Sequence, residues 1–168
     1  QTMELDGTPP ISEAVSRRIL PYLSTRSARL QAISDDGQAA LITTRFGEAS
    51  QVHRVDAPLG ARHQLTFREE PIRSVQWRPG TDTVVFTSDE GGDEQWQIFA
   101  MEDGRITRLT DGESRYGSVR FSADGSQLVY TSNARNGRDM DFYLSNGMAM
   151  DPDAAPLLEV SGLWYPLD

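Results

Sequence analysis

Carboxylates on short polar segments are the side chains of this chain with the most evident chemical potential. Asp89-Glu90-Gly91-Gly92-Asp93-Glu94 gathers four acids around two glycines. Acidic oxygen-rich loops hold hard cations such as Ca²⁺. The spacing fits no known calcium loop, however, and acids beside Gly91-Gly92 equally suit a solvated turn, so no metal and no cofactor is expected. Glu69-Glu70 is a second pair, whose local negative potential could take a substrate ammonium. A solvated loop that orients Pro71 accounts for the same two residues. Arg45, Arg135 and Arg138 occupy comparable loops, and Arg135 or Arg138 is expected to pair with the 89–94 loop. Gly112-Glu113-Ser114-Arg115-Tyr116 begins like the Gly-x-Ser-x-Gly elbow of a nucleophilic serine but fails at its last position. His53 and His63 lie in separate segments with no second ligand nearby in sequence, and read as packing or surface histidines. No catalytic residue is assigned.

These residues hang on a repeat. Ile33, Trp77 and Phe121 stand 44 residues apart, as do Ile42, Phe86 and Tyr130, and then Thr43, Thr87 and Thr131. Leu65-Thr66 and Leu109-Thr110 keep the same interval. The middle copy, Ile72 to Thr110, shows the plan: a strand ending in Val75-Gln76-Trp77, a turn at Arg78-Pro79-Gly80 and a second strand over Val84–Ser88. The acidic loop follows, then a third strand at Gln97-Ile98-Phe99 and a fourth at Thr107–Thr110. Four short strands recurring at a period of about 40 to 50 residues are the mark of a β-propeller blade. The expected fold is therefore all-β: a partial propeller of three four-stranded antiparallel blades plus the first strand of a fourth. Blade 1 spans 28–67, blade 2 68–111 and blade 3 112–159, with a truncated fourth over 160–168. In blade 3 the last strand is expected at Pro156-Leu157-Leu158.

Residues 1–27 form an arm and a short helix, with Ser12 as N-cap and Val15, Ile19 and Leu20 as a narrow apolar stripe. Pro21 should end or kink it, and so short a helix should need a larger surface to dock on. Because strand direction alternates, the tight turns after first strands share one face. The longer charged loops after second strands, with the links between blades, share the other, and longer loops are where binding residues gather. Three blades and a stub do not close a ring. The expected partners are the rest of a propeller or a second copy of the chain meeting at open blade edges.

A net charge of −9 argues against nucleic acid or an anionic membrane as partner. All 16 basic residues are Arg, a pattern that genomic base composition explains. With no Cys there is neither disulfide nor thiol chemistry. No stretch approaches the roughly 18 apolar residues of a membrane span. The chain starts at Gln1, as trimming would leave it, and removal of an export signal is one route. Bacterial cytoplasm and periplasm both fit.

Particular runs carry a family likeness. Tyr22-Leu23-Ser24-Thr25-Arg26, Leu41-Ile42-Thr43-Thr44-Arg45-Phe46-Gly47 and Gln51-Val52-His53 resemble the start of an enzyme of the prolyl oligopeptidase family. Pro58-Leu59-Gly60-Ala61-Arg62, Gln64-Leu65-Thr66-Phe67, Glu70-Pro71-Ile72 and Ser132-Asn133-Ala134-Arg135-Asn136-Gly137-Arg138-Asp139 add to it, as does the 89–94 loop. The branch most resembled is that of dipeptidyl-aminopeptidases and acylaminoacyl-peptidases. The likeness covers nearly the whole chain and maps onto the family's N-terminal propeller, not onto its α/β-hydrolase domain. It implies a propeller that gates a serine-peptidase site, with peptide held between the two parts. Arg45, Glu69, Glu70, Asp89, Glu90, Asp93, Glu94, Arg135 and Arg138 would then face substrate or the hydrolase domain. Dipeptidyl peptidases of the family use a propeller glutamate pair for the substrate amine, but the surroundings of Glu69-Glu70 do not match that motif. Alone, the chain would be inactive. The alternative resemblance is to a TolB-type interaction propeller, through Phe121-Ser122-Ala123-Asp124-Gly125 and Tyr130-Thr131-Ser132.

Overall fold

The computed structural model describes residues 7–166; positions 1–6 of the expected arm and 167–168 of the expected stub lie outside them. The chain is mostly β, with one short N-terminal helix. Three antiparallel sheets follow one another: β1 (Ala28–Ile33), β2 (Ala40–Thr44), β3 (Gln51–Val55) and β4 (His63–Gln64), then β5 (Ile72–Trp77), β6 (Val84–Ser88), β7 (Gln97–Glu102) and β8 (Arg105–Arg108). The third contains β9 (Tyr116–Phe121), β10 (Gln127–Ser132) and β11 (Asp141–Asn146). Each pairs its strands in chain order, as a propeller blade does. First strands start at 28, 72 and 116, so the 44-residue frame governs the backbone as well as the side chains.

Buried apolar positions fill the spaces between sheets. Leu41 and Val52 of the first sheet meet Ile72, Val75, Phe86 and Phe99 of the second. Val85, Ile98 and Ala100, on the opposite side of the second sheet, meet Tyr116, Val119, Leu128 and Tyr130 of the third. Every residue of β6 is buried, which is why its sequence is a continuous run instead of an alternation. The aromatics stack in register, Phe86 on Phe99 at 5.4 Å and Tyr130 on Tyr143 at 5.5 Å between centroids. Such pairs add to the burial they already provide.

Each first strand carries one register slip against its neighbour: between Leu30 and Ala32, between Ile72 and Val75, and opposite Val129 to Thr131. An extra residue bends the strand and increases its twist. The recurring threonine serves this bulge. Thr43 Oγ1 accepts from Gln31 Nε2 at 2.8 Å, and Thr87 Oγ1 accepts from the Ser74 amide at 3.3 Å. In the third copy Thr131 lies beside Gly117.

The third sheet departs from the expected four strands. Its last pairing is a single bridge between Phe142 and Leu158. Pro156 has no amide to offer, and beyond Leu158 the backbone pairing thins to one bond, from the Met140 amide to the Gly162 carbonyl at 3.0 Å, while side chains take the amides of the tail. The Val160 amide donates to Asp141 Oδ1 at 2.9 Å and the Gly162 amide to Asp139 Oδ1 at 2.9 Å. No strand forms over the described part of 160–168, so the anticipated first strand of a fourth blade is absent there. The fourth strand of the second sheet also falls earlier than expected, at Arg105–Arg108.

Helix α1 (Glu13–Leu23) is capped by Ser12, whose Oγ accepts from the Val15 amide, and it continues past Pro21 instead of ending there. None of its residues is buried. Its docking surface is not formed among the described residues; Arg45 reaches the Leu23 carbonyl at 3.0 Å.

Candidate functional site

Tight turns close one face of the array. Asp124 Oδ1 receives the Ser122 hydroxyl at 2.6 Å and the Ser126 amide at 3.0 Å, and Asp36 repeats the pattern with Ser34 and Gln38. These bonds to the ionised form hold both carboxyls below the usual range, Asp124 at about 2. Gly125 has φ +68°, and a Cβ there would lie 2.7 Å from the Pro79 carbonyl oxygen. Arg78 Nε donates to the Gly125 carbonyl at 3.0 Å, so this turn docks on the preceding blade. The face is structural.

The opposite face is built by loops 45–50, 89–96 and 133–140 and by the links between blades. Three polar residues at the starts of third strands hold it in place. Gln51 donates to the Arg68 carbonyl at 2.9 Å and accepts from the Arg68 amide at 3.0 Å. Gln97 donates to the Ser114 carbonyl at 2.7 Å, while its oxygen accepts from Thr110 Oγ1 and the Gly112 amide. Asp141 takes the corresponding place in blade 3, gripped by Arg135 Nε at 2.5 Å and Nη2 at 3.0 Å. Thr66 and Thr110 complete the clamps by accepting from the Val52 and Ile98 amides. These glutamines carried no signal in the apolar pattern. Only their position before a buried strand, next to recurring Leu-Thr pairs, could have marked them.

The anticipated site residues divide. Arg135 binds Asp141 and lies near Asp139 (3.8 Å) and Glu159 (3.7 Å), all within its own blade and its tail, not the 89–94 loop. The expected pairing of that loop with Arg135 or Arg138 is therefore not formed. Glu90 instead meets Arg108 at 2.8 Å and Arg68 at 3.8 Å, and Glu70 accepts from the Gly91 amide at 3.1 Å. Asp89 is buried with Oδ1 unpartnered among the described residues. Asp93 caps the Gln95 amide at 2.8 Å, and Glu94 has φ +60°. Glu69, Asp93, Glu94 and Arg138 are exposed, and Arg45 is occupied with the end of the helix. Among the described residues no three acidic or histidine side chains gather as a metal-ligand set.

Ser114 sits in the link between β8 and β9, its amide donating to Asp111 Oδ1 at 3.1 Å, while both histidines belong to the first sheet. His53 is buried, its Nδ1 3.1 Å from the Gln51 carbonyl and its ring 5.2 Å from Phe46, and burial pushes its pKa down. A serine triad is not assembled by these residues. Asp111 is drawn up by burial but pulled below the usual range by the Glu113 amide, the Tyr116 hydroxyl and the Ser114 amide.

Fold and loop geometry together define a partial β-propeller whose charged face is presented by the blade links and the loops after second strands. The chain is distantly similar to peptidase and TolB propellers. It is 25% identical over 140 residues to the uncharacterised peptidase YuxL of Bacillus subtilis, covering 80% of this chain and 21% of YuxL. It superposes on a TolB-type protein of Agrobacterium tumefaciens with a TM-score of 0.66 at 20% identity, over 81% of this chain and 50% of the other. On dipeptidyl peptidase 4 of Porphyromonas gingivalis the TM-score is 0.58 at 15% identity, over 70% and 16%. TolB of Acinetobacter baumannii gives 0.55 at 22%, over 68% and 29%. The chain thus spans about a fifth of YuxL and half of the first TolB-type protein. No family model matches it.

Proposed function

We propose that this chain is the propeller segment of a prolyl-oligopeptidase-type serine peptidase, restricting access to an α/β-hydrolase domain and helping to hold peptide there. The observation that carries this reading is the similarity to YuxL along 80% of the chain, in a fold whose charged loops collect on one face. Exposed Glu69, Asp93, Glu94 and Arg138 would meet substrate or the hydrolase domain, while Arg135, Glu70 and Glu90 stiffen the loops that present them. The test is to express the parent protein and treat it with a fluorophosphonate and a panel of short peptides. Labelling of one serine with peptide cleavage supports the reading; a parent without a Gly-x-Ser-x-Gly hydrolase domain overturns it.

A TolB-like interaction module is the second reading. It is favoured by the 81% overlap with the Agrobacterium protein and by the Ser122–Asp124 turn. A parent that captures an envelope protein and cleaves nothing would establish it.

A further inference from the structure

We propose that the first strands of the three sheets build a carboxylate-binding site at the charged-face mouth of the space they enclose, with Arg29, Arg73 and Arg115 as its cations. Arg29 and Arg73 hold the same repeat position, one residue into β1 and β5, and Arg115 immediately precedes β9. All three line one cavity of about 460 Å³, with Trp96, Tyr116 and Thr131 among the other walls. A neighbouring cavity, lined by Arg29, Ser74 and Arg120, extends the basic lining along the strands.

Both linings carry positive charge only. The chain carries 25 acids against 16 arginines, yet no Asp or Glu lines either cavity. Arg54, Arg68, Arg108 and Arg135 each have a carboxylate within 4.0 Å, whereas Arg29, Arg73 and Arg115 have none within that distance among the described residues. All three are exposed. Asp111, which precedes β9, accepts the Tyr116 hydroxyl at 2.8 Å and is otherwise occupied by its own turn. Like charges gathered without a counter-charge repel, so an anion between them is favoured. Arg73 lies over the Trp96 ring at 4.1 Å, a stacking that positions the guanidinium while leaving its N–H fork unspent. A planar fork matches a carboxylate with two parallel hydrogen bonds. The bulges keep the strands from running flat at this point, and Thr87 anchors one of them directly behind Ser74.

The ligand class is a peptide carboxylate, from an acidic side chain or from a C-terminus. That choice of ligand rests on the peptidase reading, but binding is measured on this chain without hydrolysis, so the two can fail separately. Three acetylated pentapeptides carrying an uncharged boron-dipyrromethene dye serve as probes: one neutral and amidated, one with a single Glu and amidated, one neutral with a free C-terminus. Anisotropy should show at least one anionic peptide binding about tenfold tighter than the neutral amide, and whichever anionic peptide wins names the source. The triple substitution Arg29→Gln, Arg73→Gln, Arg115→Gln should erase the preference, and the corresponding triple Lys variant should restore part of it. Arg62→Gln with Arg105→Gln, outside both cavities, should leave it intact. Circular dichroism melts confirm that each variant is folded. Equal binding of all three peptides, or a preference that survives the triple Gln substitution in a folded protein, overturns the proposal.

Discussion

Single polar side chains hold the blades in sequence, and Gln97 shows how. It joins β7 to the link that leads into the next blade, through the Ser114 carbonyl, the Gly112 amide and Thr110 Oγ1, and it is fully buried. Gln97→Ala would strand these groups away from water, each at a cost of about 1–3 kcal/mol, partly relieved by solvent entering the link. A net loss of about 2–4 kcal/mol is expected in urea unfolding, larger than for Gln38→Ala on an exposed turn. Titrating residues act at the same scale. Asp124 is held at about 2 by Ser122 and Ser126, and Asp141 is lowered by Arg135. Their folded values lie below the unfolded carboxylate value of about 3.9, so their stabilisation is complete above that pH and drains away as pH falls through the folded values. His53, lowered by burial, follows the same sign from a higher start. Stability should therefore decline in two stages, a shallow one below about pH 6.5 and a steeper one below about pH 4. Urea midpoints measured from pH 7 to 2.5 test this. His53→Gln should remove the first stage, and Asp124→Asn should soften the second.

At the scale of elements, the helix and the sheets are energetically separate. Val15, Ile19, Leu20 and Leu23 of α1 are all exposed, so the helix adds little burial to the sheets. Deleting residues 1–24 should shift the thermal midpoint of the sheets by no more than about 2 °C, because the tie from Arg45 to Leu23 is one exposed bond. A drop of ten degrees would show that the helix docks. The helix itself was readable, since Ser12 precedes the apolar stripe and caps the first turn. First and second strands were equally plain, because Val84-Val85-Phe86 and its counterparts are buried on both faces and repeat at a constant interval. What stayed hidden depends on contacts far apart in sequence. The bulges follow from pairing between strands, and Thr43 or Thr87 reveals its task only once that pairing exists. The fourth strand of blade 3 shrinks to the backbone bonds between Phe142 and Leu157–Leu158, beside Pro156, which has no amide, and past it the Val160 and Gly162 amides turn to Asp141 and Asp139. Acid spacing could not show that Glu90 prefers Arg108 and Arg68 to Arg135. The Arg29–Arg73 correspondence was visible in the repeat, but the gathering of these arginines with Arg115 required the cavity.

For the molecule as a whole, burial is uneven in a way the sheets explain. The middle sheet is covered on both sides, with Phe86 and Val85 each 1% exposed on its two opposite packing surfaces. The outer sheets are covered on one side, leaving Leu30 at 58% on the first, and Leu144 at 40% and Leu157 at 62% around the third. Trp164 and Tyr165 add further apolar surface at 56% and 61%. Large apolar side chains left exposed on the outer sheets suit surfaces that other protein covers. In the peptidase reading the cover is the remainder of the propeller, and neighbouring blades would extend the same face-to-face packing seen between the three sheets. The isolated chain should then bind 8-anilinonaphthalene-1-sulfonate and sediment faster as its concentration rises. Leu144→Glu combined with Leu157→Glu should weaken both effects, because charges placed on an apolar contact must be desolvated when it forms. Sedimentation velocity with dye fluorescence on the two proteins decides the matter. A dye-silent monomer at every concentration would mean that these surfaces need no covering.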